Sequence, residues 1–125
     1  MLGNITPTPM LAVKDVVRAK QFYEDVLGFV LVSGNTGDIL QYRAGEIEFV
    51  VYPSRYAGSN QATALTWTVG DQLEQVVETL KRRGVRFEHY DLPDTKREGD
   101  IHVSPGVRNA WFKDPDGNIH AVSDR

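Results

Sequence analysis

The feature that most constrains the fold of this chain is an internal repeat. Two amphipathic segments, residues 15–28 and 71–84, each begin with an aspartate suited to a helix N-terminus and end at a glycine. The sequence Leu-Ala-Val at 11–13 superposes on Trp-Thr-Val at 67–69 when the chain is shifted by 56 residues. A strand and a helix that recur in this way predict two copies of one supersecondary unit.

Each copy shows a strand, a helix and three further strands, so the predicted fold class is α+β with two βαβββ modules. The modules span about 5–56 and 61–125 of a single domain covering 1–125. In the first module the predicted strands are 8–13, 29–33, 38–43 and 46–52, with a turn at 34–37. In the second they are 64–69, 85–90 and a closing hairpin, and Glu74 lies where it would complete a capping box with Asp71. The helical stripes that should be buried are Ala19, Phe22, Tyr23, Val26 and Leu27, then Leu73, Val76, Val77 and Leu80.

The closing hairpin is predicted by the sequence Asp-Pro-Asp-Gly-Asn at 114–118, which joins two β-prone runs. Proline presets φ, aspartate caps its own backbone and glycine accepts positive φ, so the segment forms a tight turn. Before this hairpin, residues 91–106 form a polar stretch that is longer than its counterpart in the first module. We expect it to be an irregular loop that acts as a flexible lid with few buried contacts.

Composition excludes several classes of function. The chain has 125 residues, a formal net charge of −3 and no cysteine. The absence of a basic run disfavours nucleic-acid binding, and the absence of cysteine removes thiolate chemistry and disulfides. With no apolar run of membrane-spanning length and no signal-peptide pattern, we expect a cytoplasmic protein without a membrane partner.

Two motifs of this chain resemble those of a known family. The helix sequence Arg-Ala-Lys-Gln-Phe-Tyr-Glu-Asp-Val-Leu-Gly-Phe at 18–29, followed near the end by the Asp-Pro-Asp-Gly-Asn turn, is similar to the vicinal oxygen chelate superfamily. This superfamily includes glyoxalase I, extradiol dioxygenases, and fosfomycin- and bleomycin-resistance proteins. The resemblance implies that the two modules form a cup-shaped sheet around a small-molecule site, often completed in a homodimer.

The same resemblance implies where a metal would be held, on the first and last strands of each module. The corresponding residues here are Thr8, Val50, Ala64 and Ala121, and none is a usual metal ligand. A shift of two residues would bring Glu48 into one of these positions, but one carboxylate does not hold a metal. We therefore expect no metal and no cofactor.

Strand alternation assigns side chains to the two faces of each sheet. If Arg43 pairs with Glu46, the helix side carries Leu40, Tyr42, Ile47, Phe49 and Val51, and in the second module Leu65, Trp67 and Val69. Hairpin counting that pairs Phe112 with Ile119 places Phe112 in the cup and His120 toward the helices. His102, in the long loop, is the histidine able to close over a ligand, whereas His89 is expected at a solvated edge. The candidate ligand-binding residues of the cup and rim are Gln41, Glu48, Val50, Tyr52, Arg55, Thr66, Thr68, His102 and Phe112.

Three functions are compatible with these residues. The first is a metal-free small-molecule-binding protein similar to the bleomycin-resistance branch, because the cup is mixed in polarity and lacks metal ligands. The second is a glyoxalase- or dioxygenase-like enzyme with displaced ligands or metal-free acid–base chemistry, in which Glu48 beside Gln41 is the candidate acid or base. The third is a dimeric interaction module whose cup is filled by a partner subunit. The sequence names no ligand and no catalytic residue.

Overall fold

The computed structural model describes residues 1–34 and 39–125. Its first module has the predicted order βαβββ: β1 Met10–Val13, α1 Val16–Gln21, β2 Val30–Ser33, β3 Leu40–Ala44 and β4 Ile47–Pro53. The strands form one sheet in the order β1-β4-β3-β2, with β1 and β4 parallel. Residues 35–37 of the predicted turn, and Asp38 at the predicted start of the next strand, lie outside the described residues.

The second module contains the same elements and, in addition, a hairpin of two short strands within 96–104. Its elements are β5 Thr63–Thr68, α2 Leu73–Arg82, β6 Phe87–Glu88, β7 Lys96–Glu98, β8 Ile101–Ser104, β9 Val107–Lys113 and β10 Ile119–Ser123. The sheet runs β5-β10-β9-β8-β7, and the short strand β6 pairs with the other end of β9. The fold is therefore α+β with two sheets, as predicted. No helix among the described residues is long and apolar enough to cross a membrane.

The hairpin β7–β8 lies in the segment expected to be an irregular lid. Cross-strand pairs join Lys96 to Val103 and Glu98 to Ile101. Ile101 is 7% exposed and belongs to the hydrophobic core that packs under α2, and His102 is 1% exposed. The expectation of an irregular segment with few buried contacts is therefore wrong for 96–104. An apolar side chain at Ile101 and pairing with β9 order this polar sequence.

The register of the strands confirms the internal repeat. Met10 pairs with Val50 in the first sheet, and Thr66 pairs with Ala121 in the second. Met10 and Thr66 are separated by the same 56-residue offset that superposes Leu-Ala-Val on Trp-Thr-Val. The two modules thus place equivalent residues side by side between their first and last strands.

The helices begin by different means. The carboxylate of Asp15 accepts a hydrogen bond from the Arg18 backbone N–H at 3.1 Å, which is the predicted cap of α1, and a π-helical turn Phe22–Val26 continues this helix. At α2 the predicted capping box is absent, because a 3₁₀ turn Gly70–Gln72 precedes the helix and Glu74 binds Arg108 instead. A guanidinium is a stronger partner for a carboxylate than a neutral backbone N–H.

The predicted face of the first sheet forms a hydrophobic core under α1. Leu40, Tyr42, Phe49 and Val51 are all buried there, and Ile47, at the start of its strand, is the exception at 60% exposed. The register itself differs from the prediction: Arg43 pairs with Glu48, because the hairpin closes through Ala44 and Ile47 around a two-residue turn. A shift of two residues leaves every side chain on its predicted face.

In the core under α2, Trp67 and His120 lie on the predicted side of the sheet, whereas Phe112 lies on the side opposite to its prediction. Trp67 packs against this core, and His120 is fully buried. Phe112, 1% exposed, pairs with His120 and lies under α2, so its predicted place in the cup is wrong. The turn is one residue longer than the counting assumed, since the Asp114 N–H bonds the Asn118 carbonyl. A one-residue shift moves every side chain to the opposite face.

The turn at 114–118 joins the two modules. Asn118 donates its side-chain amide to the Ala12 carbonyl at 2.7 Å, and Asp116 accepts the Lys14 backbone N–H at 2.9 Å. Arg18 reaches back from α1 to Asp116 and to the Pro115 carbonyl, each at 3.0 Å. A hairpin of the second module therefore caps the strand–helix junction of the first.

Beneath the turn, the buried side chains of Tyr23, Asp114 and His120 form a hydrogen-bonded chain. The Tyr23 hydroxyl donates to Asp114 at 2.7 Å and accepts from His120 Nε2 at 2.8 Å. Burial, and next the charge of Asp114, raises the pKa of Tyr23 well above its usual range. Burial lowers the pKa of His120 from 6.5 to about 4, against the opposing effect of the Asp114 charge.

The first prediction concerns Gly58, which lies in the connection between the modules. A Cβ at this position would stand 1.9 Å from the Asp116 carbonyl oxygen, and its φ is +72°. Gly45, at φ +59°, has open space around it and serves as the matched control. We expect Gly45→Ala to lower the free energy of unfolding by about 1 kcal/mol, the cost of left-handed backbone. Gly58→Ala should cost clearly more in urea unfolding, and equal losses would contradict the close approach.

The second prediction uses His120 as a probe of stability against pH. Its pKa is lower in the folded protein, so the unfolded chain binds more protons at acidic pH and stability rises with pH. The contribution of His120 to the free energy of unfolding is complete above pH 6.5 and is lost as pH falls toward 4. Between pH 7 and pH 5, wild type should lose about 2 kcal/mol more than His120→Gln, whose amide can still donate to Tyr23. Equal pH dependence of urea unfolding in the two proteins would contradict this assignment.

Candidate functional site

Each sheet has an open face, defined here as the face opposite its helix. On the second sheet the register places Thr66, Ala121 and Trp111 side by side across β5, β10 and β9. The same face continues outward through His102 on β8, whose neighbour Arg97 lies on β7. This row of side chains therefore runs from Thr66, the counterpart of Met10 in the first module, to the β7–β8 hairpin.

Three rings meet on this open face: Tyr90, His102 and Trp111, here called the ring cluster. The His102 ring lies edge-on to Trp111 with centroids 4.8 Å apart, and Tyr90 lies 5.4 Å from Trp111. Trp111 donates its indole N–H to Thr63 at 3.2 Å, which fixes its orientation. The cluster is a half-buried aromatic wall with a polar end.

Two polar atoms of the ring cluster are buried without a hydrogen-bond partner among the described residues, Tyr90 Oη and His102 Nδ1. The Tyr90 backbone N–H donates to His102 Nε2 at 2.9 Å, so the neutral ring carries its proton on Nδ1. Burial lowers the pKa of His102 against the opposing effect of the Asn109 backbone, and the nearby charges of His89 and Arg97 lower it further. Burial, followed by the charge of Glu88, raises the pKa of Tyr90. Both rings are therefore neutral at pH 7.

A cavity of 340 Å³ adjoins two of these rings, Tyr90 and His102. Its lining combines an aromatic wall with charged and hydroxyl groups, and consists of His89, Tyr90, Asp91, Thr95, Arg97 and His102. Buried polar groups are normally hydrogen-bonded, and an unpartnered group beside a cavity indicates a bound water or ligand. A small apolar wall with a few convergent polar groups is the usual construction of a ligand site.

A second cavity, of 170 Å³, lies on the helix side of the second sheet. It is lined by Leu27, Phe29, Trp67, Val69, Val76, Leu80, Phe112 and Val122. The indole N–H of Trp67 is the polar group that this otherwise apolar lining contains, so the ring cluster is the better candidate site.

The open face of the first sheet holds three predicted site residues close together. Gln41 pairs with Val50, and its amide donates to Glu48 at 2.8 Å. Arg43 lies 3.6 Å from the other oxygen of Glu48, and both side chains are exposed. The Glu48 carboxylate is thus occupied by two neighbours on an open surface, an arrangement typical of a surface ion pair.

The remaining predicted residues lie at separate places. Tyr52 borders a 190 Å³ cleft between the modules, and Arg55 stacks on the neighbouring Tyr56 ring, which it also contacts by a 2.6 Å hydrogen bond. Thr66 and Thr68 are exposed on the open face of the second sheet. His102 lines the cavity beside the ring cluster, while Phe112 is in the core.

Of the residues that line the cavity beside the ring cluster, the sequence predicted only His102, and it also missed Trp111 in the ring cluster. Trp111 could have been found by counting the turn one residue longer. Tyr90 and Arg97 carried no signal, because their proximity to His102 depends on a hairpin inside a segment that reads as a loop.

The residues at the metal positions implied by the family resemblance do not fit a metal. Thr8 precedes β1 and is exposed, while Val50, Ala64 and Ala121 present only methyl groups. Within residues 1–34 and 39–125, no group of three or more His, Asp or Glu side chains is placed to hold a metal ion. Saturated carbon provides no electron pair to a cation, so this scaffold lacks a donor set at those positions.

Comparison with solved structures identifies the fold. A fosfomycin resistance protein, FosX, from Mesorhizobium loti superposes with a TM-score of 0.69 at 12% identity, covering 96% of this chain and 91% of its own. Lactoylglutathione lyase from Agrobacterium tumefaciens gives 0.68 at 16% identity, with coverages of 95% and 92%. TnmS3, an antibiotic binding protein from Streptomyces sp. CB03234, gives 0.61 at 24% identity, covering 94% of each chain.

No curated protein matches the sequence significantly. A family model does match, over residues 5–121, and it describes the Glyoxalase/Bleomycin resistance protein/Dioxygenase superfamily. This span contains the first module, the second module as far as the middle of β10, the turn at 114–118 and the ring cluster. The chain therefore belongs to the glyoxalase/bleomycin resistance protein/dioxygenase superfamily.

Proposed function

We propose that this protein binds a small organic molecule at the ring cluster, without a metal ion. The observation that carries the proposal is the pair of buried, unpartnered polar atoms, Tyr90 Oη and His102 Nδ1, beside a cavity. Leaving such atoms unsatisfied costs about 1–3 kcal/mol each. A ligand that bonds to them recovers that cost, which is a physical reason for the chain to retain them.

Binding without catalysis agrees best with the chemistry of the site. The Glu48 carboxylate, the candidate acid or base, is engaged by Gln41 and Arg43 on the other sheet. His102 uses its free electron pair to accept the Tyr90 backbone N–H. A base whose electron pair is occupied is poorly placed to remove a proton. The similar structure described as an antibiotic binding protein supports the same reading by analogy.

We also propose that the protein is a homodimer. On the open face of the first sheet, Met10 on β1 is 58% exposed beside the half-buried Val50, and Val30 on β2, at the opposite edge, is 57% exposed. Burial of these exposed apolar side chains would favour a partner that covers this face. Two-fold association would cover this face in both subunits at once.

The third prediction tests binding. In a thermal-stability screen of aromatic metabolites and antibiotics, a compound present at 100 times its Kd should stabilise the protein by about 2.7 kcal/mol. The effect should be unchanged after treatment with EDTA and should weaken in Trp111→Leu. Tyr56→Leu, which alters an exposed ring away from the cluster, is the matched control. Stabilisation that requires an added divalent metal would contradict the metal-free site, and a screen without any stabilising compound would contradict the function.

The fourth prediction tests the dimer. Light scattering at micromolar concentration should give twice the chain mass of 14.0 kDa. Met10→Glu should shift the protein toward the monomer, because a buried unpaired carboxylate is costly at an interface. Ile5→Glu adds the same charge at a residue that is 62% exposed outside the sheets, and should leave the mass unchanged. A wild-type particle of one chain mass would exclude the dimer.

A further inference from the structure

Some charged side chains around the ring cluster are paired with an opposite charge, and one is not. Asp100 is shared by Lys81 and His89, each at 2.7 Å, and Lys113 lies 3.4 Å from Glu88. Arg97 makes no salt bridge within the described part of the chain and is exposed at the rim of the cavity. It lies directly across from His102 in the β7–β8 hairpin, so both side chains are on one face. The cavity thus has an unpaired cation beside its unpartnered polar atoms.

The groups that line this cavity mainly offer hydrogen-bond donors. His102 offers Nδ1–H because its Nε2 is already an acceptor, and Tyr90 offers its hydroxyl. Arg97 offers a guanidinium, whose planar fork matches a carboxylate. The one opposing charge in the lining is Asp91, for which the described residues provide no ion pair.

We propose that the ligand of this cavity is an organic anion, a carboxylate on a planar aromatic ring. The carboxylate would accept hydrogen bonds from His102 Nδ1 and Tyr90 Oη and face the charge of Arg97. Its ring would lie against Tyr90, which lines the cavity, and close to Trp111, whose ring centroid is 5.4 Å from that of Tyr90. The carboxylate would enter beside Arg97, an exposed side chain that lies across from His102 at the rim of the cavity. This inference rests on the proposed function and adds the chemical class of the ligand.

The test compares 2-naphthoate with 2-naphthamide, which have the same ring and differ in charge. The two indole N–H signals, of Trp111 and Trp67, are followed by nuclear magnetic resonance and assigned with Trp111→Phe. We expect 2-naphthoate to shift the Trp111 signal and leave that of Trp67 in place, and to bind about tenfold more tightly than 2-naphthamide.

Charge variants test the role of Arg97. Arg97→Gln should weaken 2-naphthoate about tenfold and leave 2-naphthamide unchanged. Arg86→Gln, which alters an exposed arginine outside the cavity lining, should have no effect on either probe. Asp91→Asn should strengthen 2-naphthoate several-fold, because it removes the like charge.

Tyr90→Phe separates binding from stability. Its hydroxyl is buried without a partner, so its removal should leave the melting temperature of the free protein unchanged or higher. The same variant should weaken 2-naphthoate. A lower melting temperature would show that the hydroxyl serves the fold and would overturn its role in binding.

The outcomes distinguish the inference from the function on which it rests. Equal affinity for naphthoate and naphthamide at the Trp111 signal would overturn the anion preference and leave small-molecule binding intact. A screening compound that binds without moving the Trp111 signal would also overturn the inference alone. Failure of both probes, together with a screen that finds no stabilising compound, would overturn both.

Discussion

The carboxylate of Asp114 is the group on which the arrangement of the two modules depends. It accepts four hydrogen bonds: from the backbone N–H groups of Asp116 and Asn118, from the Asn118 amide and from the Tyr23 hydroxyl. Three of these come from its own turn, and the fourth comes from the first module. A buried carboxylate is costly unless its oxygens are bonded, so the turn and the Tyr23 helix stabilise each other. Loss of the Tyr23 hydroxyl would leave the buried carboxylate with only the three hydrogen bonds of its own turn.

This junction determines which surfaces remain for function. Because α1 and α2 cover one face of each sheet and the turn joins the modules on that side, large side chains there are committed to packing. Tyr23, Phe112 and His120 illustrate this, since each is buried on the helix side. Within residues 1–34 and 39–125, the open faces have no such covering element. The candidate site lies on one of them, at the added β7–β8 hairpin.

The two buried histidines show how position decides the role of a residue type. His120 donates from Nε2 to Tyr23, within a cage of rings formed with Trp67 and Phe112. His102 accepts at Nε2 and keeps a proton on Nδ1 beside a cavity. Burial lowers the pKa of both, so both are neutral at pH 7. Each histidine keeps a buried Nδ1 without a partner among the described residues, but that of His120 lies in the core, whereas His102 lines a cavity that a ligand could enter.

The amino-acid sequence by itself determined the two βαβββ modules, the glycine-terminated helices, the turn at 114–118 and the sides of Trp67 and His120. These features depend on periodicity and turn chemistry, which act between near neighbours in the chain. Only the tertiary structure decided the side of Phe112, the partner of Glu74 and the hairpin within 91–106. The first depends on a single residue of register, the second on an arginine 34 positions away, and the third on pairing with β9. Tyr90, Arg97 and Trp111 meet His102 for the same reason: distant contacts outweigh local preference, and they leave no mark on the local pattern.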